Sequence, residues 1–174
     1  MSEQAAEPEV LERLRQGGRW EFDDAVTNTF DEMLVRSIPQ YRVMRQTVTD
    51  LALRFVKPWT EVVDLGCSRG EAVAPLVDQV GRETHFTLIE TAEPMLAAAR
   101  RRFVSEIDRG RVRVVDLDLR TDYPSLPASV TLAVLTLMFV PLEHRQRVLR
   151  DMYLNTVPGG VALVVEKVLG ETAE

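Results

Sequence analysis

The segment Gly66-Cys67-Ser68-Arg69-Gly70 lies between an apolar run, Val62 to Leu65, and a helix-compatible stretch that starts near Glu71. A strand, a small-residue turn and a helix N-terminus together bring backbone N–H groups and a helix dipole towards an anionic or nucleotide ligand. Gly66 lets the chain turn without a Cβ, and Gly70 permits close approach of a ligand or a helix. Twenty residues beyond Gly70, the run His85-Phe86-Thr87-Leu88-Ile89 ends in Glu90. A carboxylate at that place would accept both hydroxyls of an adenosine ribose. Asp116 and Asp118 follow the next apolar run, Val112 to Val115, so acids stand at the ends of successive strand candidates.

The same turn satisfies G-x-S-x-G, the nucleophile elbow of an esterase, with Asp118 and His144 in the chain order of a triad. Two features oppose that reading. No strand precedes this one, whereas the elbow belongs deep in a larger sheet. His144 lies in a segment of helical periodicity, Leu142 to Leu149, rather than on a loop after a late strand.

Strands alternating with helices are what position these residues. Residues 1–19 are polar and acidic and are expected to form a flexible tail, leaving residues 20–174 as one domain. Phe22, Val26, Phe30, Met33 and Leu34 share a helical face up to Ile38-Pro39, and Met44, Val48, Leu51 and Phe55 form a second stripe up to Lys57-Pro58. Helices are then expected from Glu71, from Pro94 through Phe103 and Val104, and around His144 with Leu142, Leu149, Met152 and Tyr153 inward. Val130 to Val140 holds a fourth strand and its turn, and Pro158-Gly159-Gly160 turns the chain into a fifth, Val161 to Val165. Strands this apolar imply a parallel sheet covered on both faces. The fold class is α/β: a Rossmann-like, doubly wound, mostly parallel sheet of about five strands with two N-terminal helices.

Composition narrows the function. A net charge of −6 argues against a broad nucleic-acid surface. Arg100-Arg101-Arg102 point in three directions around a helix and read as a solvated face. One cysteine suits a reducing cytoplasm, Met1 to Ala5 lacks the basic and apolar regions of a signal peptide, and no apolar run reaches membrane-spanning length, so a cytoplasmic location away from membranes is expected. The run Val161 to Val165 has no charge, proline or bulge to blunt an edge. It is expected to be fully buried, and covered in a homo- or hetero-oligomer.

Asp64-Leu65-Gly66-Cys67-Ser68-Arg69-Gly70 resembles the first motif of the class I S-adenosylmethionine-dependent methyltransferases, with Ser68 where glycine is commoner. Glu90 resembles their ribose-binding acid, Asp118 the acid that meets the adenine amino group, and Pro158-Gly159-Gly160 the turn before their fifth strand. Within that superfamily, Trp20-Glu21-Phe22-Asp23, the block Phe30 to Tyr41, Asp64 to Ser68 and Val164-Val165-Glu166-Lys167 are similar to the carboxy-S-adenosylmethionine synthase family of the tRNA wobble-uridine pathway. The likeness runs from Trp20 to Lys167.

The resemblance implies S-adenosyl-L-methionine, S-adenosylhomocysteine or carboxy-S-adenosylmethionine as the bound cofactor. It places Tyr41, Asp64, Gly66, Cys67, Ser68, Gly70, Glu90, Thr91, Asp118 and Leu119 around it, with no metal and no assigned general base. The backbone of Gly66 to Ser68 would meet the amino-acid portion, and Tyr41 would close over it. Two departures bear on the synthase reaction, in which prephenate is the carboxyl donor. Val134 stands where the family has an asparagine, and the family's carboxylate-binding arginine lies beyond residue 174. Five strands stand where the superfamily has seven, so the expectation is a truncated class I methyltransferase fold that does not make carboxy-S-adenosylmethionine by itself.

Overall fold

A computed structural model describes residues 32–168. The expected tail over 1–19, the helix from Phe22 and the Trp20 to Asp23 segment lie outside the described residues. Residues 32–37 are helical and end before Pro39. The next elements are α1 (Tyr41–Leu53), β1 (Glu61–Leu65), α2 (Ala74–Gln79), β2 (His85–Glu90), α3 (Glu93–Arg102), α4 (Val104–Asp108) and β3 (Val112–Asp116). After them come β4 (Ala128–Val134), a 3-10 turn over Leu137–Phe139, α5 (Leu142–Asn155) and β5 (Thr156–Val165).

The five strands form one sheet in the order β3-β2-β1-β4-β5, and every pairing is parallel. The chain steps one way from β1 to β3 and the other way from β4 to β5, so the order reverses between β1 and β4. Crevices at the carboxyl ends of strands flanking such a reversal are where open α/β sheets take ligands. Alternation along each strand divides the core in two. Val62, Phe86, Leu88, Val130 and Leu132 pack with Val48 and Ala52 of α1, Val73 and Leu76 at the start of α2 and Phe103 at the end of α3. Val63, Leu65, Ile89 and Ala133 pack with Leu119, Tyr123, Val148 and Met152.

Several expectations are corrected by packing. Helix α2 begins at Ala74, three residues after Glu71, with Pro75 in its first turn where no N–H is needed. Of the expected stripe before β1, Met44, Val48 and Phe55 pack in the core while Leu51 is exposed, and Thr49 and Ala52 of α1 are buried in addition. The helix from Pro94 breaks at Phe103, which is buried, and Val104 faces solvent. On α5 only Val148 and Met152 are buried, and Leu142, Leu149 and Tyr153 are exposed. The Pro158-Gly160 turn is absorbed into β5 as an irregularity: Ala128 pairs with Thr156 but Val130 with Val161, and Gly159 has φ of +71°.

Strand β5 is not fully buried either. It lies at the sheet edge, pairs only with β4 among the described residues, and exposes Ala162 and Val164 while Val161, Leu163 and Val165 are half-buried. Having one strand neighbour and one well-covered face is the physical reason.

Candidate active site at the β1–β4 switch point

A cavity of about 810 Å³ opens at the carboxyl ends of β1, β2 and β4, roofed by residues 33–45. That volume lies within the roughly 300–1,000 Å³ of small-molecule sites. Tyr41, Asp64, Gly66, Cys67, Ser68, Glu90, Thr91, Asp118 and Leu119 all line it. Gly70, the tenth residue expected there, does not. A Cβ on Gly70 would lie 2.3 Å from the Phe103 ring and 3.3 Å from Leu88, and its φ is +80°. Of the two roles open to this glycine, close helix packing is the one it performs.

Gly66 has φ of +67°, and a Cβ there would meet the Thr136 side chain at 2.5 Å. The Thr136 hydroxyl donates to the Leu65 carbonyl at 2.7 Å, joining the turn after β1 to the one after β4. Ser68 adopts the same left-handed region, φ +50°, without being a glycine. Its backbone is tethered instead: the Ser68 N–H donates to Glu90 Oε2 at 2.9 Å. Glu90 Oε1 accepts the N–H groups of Thr91 and Ala92 at 2.8 and 3.1 Å. One carboxylate, itself lining the cavity, therefore organises both the β1 turn and the start of α3.

This arrangement narrows the expectation that the backbone of Gly66 to Ser68 meets an anion: the Cys67 and Ser68 amides have acceptors within the chain, and the Gly66 amide has none among the described residues. The Cys67 N–H donates to the Ile89 carbonyl at 2.8 Å and the Gly70 N–H to the Cys67 carbonyl at 2.8 Å. With Ser68 held by Glu90, these three donors already have partners.

The charge in the cavity is mainly negative. Asp64 is in phase with Val62, so it points towards α1 rather than to the opposite core. It is buried, and its Oδ2 has no hydrogen-bond partner. Burial pushes its pKa up to about 7; Glu71 and Glu90 add to the rise and the positive charge of Arg45 opposes it. Burial, reinforced by these carboxylates, drives the Cys67 thiol well above its ordinary value. A thiol in that state is not a nucleophile. Asp118 sits at the far end, bound by Arg120 through Nε at 2.7 Å and through its backbone N–H at 2.8 Å, which holds its carboxyl below the ordinary range.

The esterase arrangement does not form. His144 does not line the cavity, no hydrogen bond links it to Ser68 among the described residues, and Asp118 is engaged by Arg120.

Three lining residues were not singled out for the site from sequence. Glu166 accepts the Leu137 and Met138 N–H groups at 2.6 and 3.2 Å and so shapes the loop after β4. Thr136 supports Gly66. Arg45, one helical turn after Tyr41 on the same face of α1, was legible from its i+4 spacing. Val134 lines the cavity as an apolar residue and supplies no side-chain hydrogen bond.

Comparison with known proteins agrees with this geometry. The family profile described as "Methyltransferase domain" matches residues 62–160. The chain is 33% identical over 150 residues to a carboxy-S-adenosyl-L-methionine synthase of Shewanella sp. (strain MR-7), covering 86% of this chain and 61% of that protein. A synthase of the same name from Shewanella baltica (strain OS155 / ATCC BAA-1091) is 33% identical over 155 residues, covering 88% and 63%. The chain thus spans less than two thirds of the length of these relatives.

Among solved structures, the SAM-bound amino pentose methyltransferase CalS10 from Micromonospora echinaspora superimposes with a TM-score of 0.66 at 18% identity, over 90% of this chain and 61% of that one. A SAM-dependent methyltransferase from Geobacter sulfurreducens, in complex with S-adenosyl-L-homocysteine, gives 0.54 at 24% identity, over 70% and 47%. These are likenesses of fold. With the profile spanning more than half of the 174 residues, the five-stranded parallel sheet and its switch-point cavity identify the chain as a member of the methyltransferase domain family.

Proposed function

We propose that this chain binds S-adenosyl-L-methionine at the switch-point cavity and acts as a methyltransferase-type transferase. The observation that carries the reading is convergence: nine residues drawn from α1, β1, β2 and the loops after β1, β2 and β3 line one cavity, with a buried carboxylate in its wall whose Oδ2 has no hydrogen-bond partner. The cofactor supplies a methyl group on a sulfonium, whose transfer needs in-line positioning and exclusion of water rather than a triad.

The residues fit that group. Asp64 Oδ2 faces a ligand ammonium, Glu90 accepts from the ribose while it holds Ser68, and Asp118 with Leu119 marks the adenine end. Tyr41 and Met44 roof the amino-acid end and limit water. A cavity walled by Asp64, Glu71, Glu90, Asp118 and Glu166 also favours a ligand carrying a sulfonium and an ammonium. Titration calorimetry with S-adenosylhomocysteine is expected to give saturable binding, and mass spectrometry to find the cofactor or its product co-purifying. No heat and no thermal shift at millimolar ligand would overturn the reading, leaving a methyltransferase fold kept for a structural or interaction role.

A carboxy-S-adenosylmethionine synthase-like activity is the second reading, favoured by the names of the relatives. Val134 disfavours it, because an added carboxylate there meets an apolar wall. Incubation with S-adenosylmethionine and prephenate, followed by mass spectrometry, separates the two.

Residues 20–174 form the working domain in this reading, located in the cytoplasm. Among the described residues no helix is long and apolar enough to cross a membrane. Strand β5 is covered in a homo- or hetero-oligomer. The contrast between the sheet's two edges supports this: β3 has five residues including Arg113 and Asp116, whereas residues 161–165 of β5 carry no charge and follow the proline and the irregularity at Pro158 to Gly160. Leu163 packs against the core, so a lysine there would damage folding directly; Val164, 43% exposed, is the discriminating position. Val164→Lys is expected to shift assembly towards monomer in light scattering while moving Tm by only a few degrees. A wild-type protein monomeric at high concentration, with rapid amide exchange along residues 161–165, would remove the oligomer from the reading.

A further inference from the structure

One flank of α5 is tied down and the other is apolar and bare. On the first, the Arg147 guanidinium donates to the Leu119 carbonyl and, at 2.9 Å, to Asp151. Val148 and Met152 point into the core. Leu142, Leu149 and Tyr153 fall on the flank away from Leu119, at the seven- and four-residue spacing of a helix-packing stripe. Leu142 is 76% and Tyr153 80% exposed, so nothing among the described residues covers them. Strand β5 continues this face. Its exposed Ala162 and Val164 pair with Thr131 and Ala133 and share their side of the sheet, and Ala133 packs in the same core layer as Val148 and Met152. Beside the stripe stand two exposed charges seven residues apart, Glu143 and Arg150, which make no ion pair or side-chain hydrogen bond among the described residues. The neighbouring Arg145 is engaged, donating to the Val140 carbonyl at 2.8 Å.

We infer that a second copy of this chain covers the face, with its α5 packed antiparallel on α5 about a two-fold axis. The inference rests on the reading above that β5 is covered, and it names the occupant. The charges decide the direction. In a parallel pair Glu143 would face the copy's Glu143 and Arg150 the copy's Arg150, like against like. In an antiparallel pair with Leu142 opposite the copy's Tyr153, Glu143 and the copy's Arg150 differ in level by two residues, about 3 Å of helix rise. Their side chains span that offset, and the two-fold axis makes the ion pair twice. The partner that offers an apolar stripe flanked by both charges in the matching order is this chain itself. Leu142, Leu149, Tyr153 and Val164, each exposed in the single chain, are then buried in one contact.

The test reverses charge at these two residues, neither of which lines the cavity. Wild type, Glu143→Arg, Arg150→Glu and the double variant are compared by light scattering and sedimentation over a range of concentrations. Wild type is expected to dimerise. Each single reversal sets like charges against each other twice per dimer and should weaken it by about tenfold. An equimolar mixture of the two single variants should dimerise as wild type does, because each supplies the charge that the other lacks. The double variant should do so alone. Melting curves close to that of wild type show that the single variants fold. Where one does not, recovery in the double variant relative to the remaining single decides. Single reversals that leave the dimer unchanged while Val164→Lys disperses it would overturn the inference and leave the covered strand standing. Reversals that weaken the dimer with no recovery in the mixture or the double variant would overturn it as well. A wild type that stays monomeric at high concentration would remove this inference together with the homo-oligomer.

Discussion

Asp64→Asn is expected to make the protein more stable above pH 7 and to weaken its binding of S-adenosylhomocysteine by one to two decades. Both effects come from one carboxylate held where water cannot reach it. Burial lifts its pKa from 3.8 to about 7, so the folded chain keeps a proton that the unfolded chain has lost over that window. Where the folded state binds more protons, stability falls as pH rises. The decline therefore begins near pH 4, runs to about pH 7 and then levels off. About three pKa units correspond to a ceiling on the order of 4 kcal/mol. An asparagine escapes this cost but leaves an amide poorly paired, so the net gain is about 1–3 kcal/mol.

Urea unfolding at pH 5 and pH 8 measures it: wild type should lose stability between the two, and the variant should not. Binding runs the other way in wild type, because an ammonium needs the ionised carboxylate. Affinity should rise with pH through about 7 and then flatten. Arg45 from α1, Glu71 from the turn after β1 and Glu90 from β2 are the charged groups acting on Asp64, and none reverses that direction. Parallel pH profiles for variant and wild type would sink the account. A stabilising substitution that costs function is the expected signature of a site residue.

Glu90→Ala is the second large effect. It removes the acceptor of three backbone N–H groups, those of Ser68, Thr91 and Ala92, besides the ribose contact proposed above. Stranded donors in a partly buried turn cost about 1–3 kcal/mol in stability. The affinity loss should reach about two decades, since a turn that is no longer held adds disorder to the missing contact. Glu90→Gln keeps a carbonyl acceptor and should fall between the two. Amide exchange at Ser68, Thr91 and Ala92 should accelerate in the alanine variant. A loss of affinity without faster exchange would mean that Glu90 serves the ligand alone and that the turn is held by other contacts.

The strands, the turn and the acids at the strand ends were legible in the amino-acid sequence because their signals are local. Val62 to Leu65 and Phe86 to Ile89 are apolar in consecutive positions, and Gly66 occupies a left-handed turn that favours its residue type. Glu90 ends its strand at the spacing that the site chemistry requires. Tertiary structure alone decided which of several apolar stripes faces the sheet. Leu142, Leu149 and Tyr153 share a helical face as well as Val148 and Met152 do, and only docking on β4 and β5 selects the second pair. Long-range approach likewise settled Gly70, whose neighbour Phe103 is thirty-three residues away. The exposure of β5 follows from its place at the end of the sheet order, which no periodicity encodes. The opposition of Asp64 and Arg45 has the same origin. A strand parity and a helix phase meet there only because α1 packs over the carboxyl end of β1, and burial by that packing is what perturbs the carboxylate.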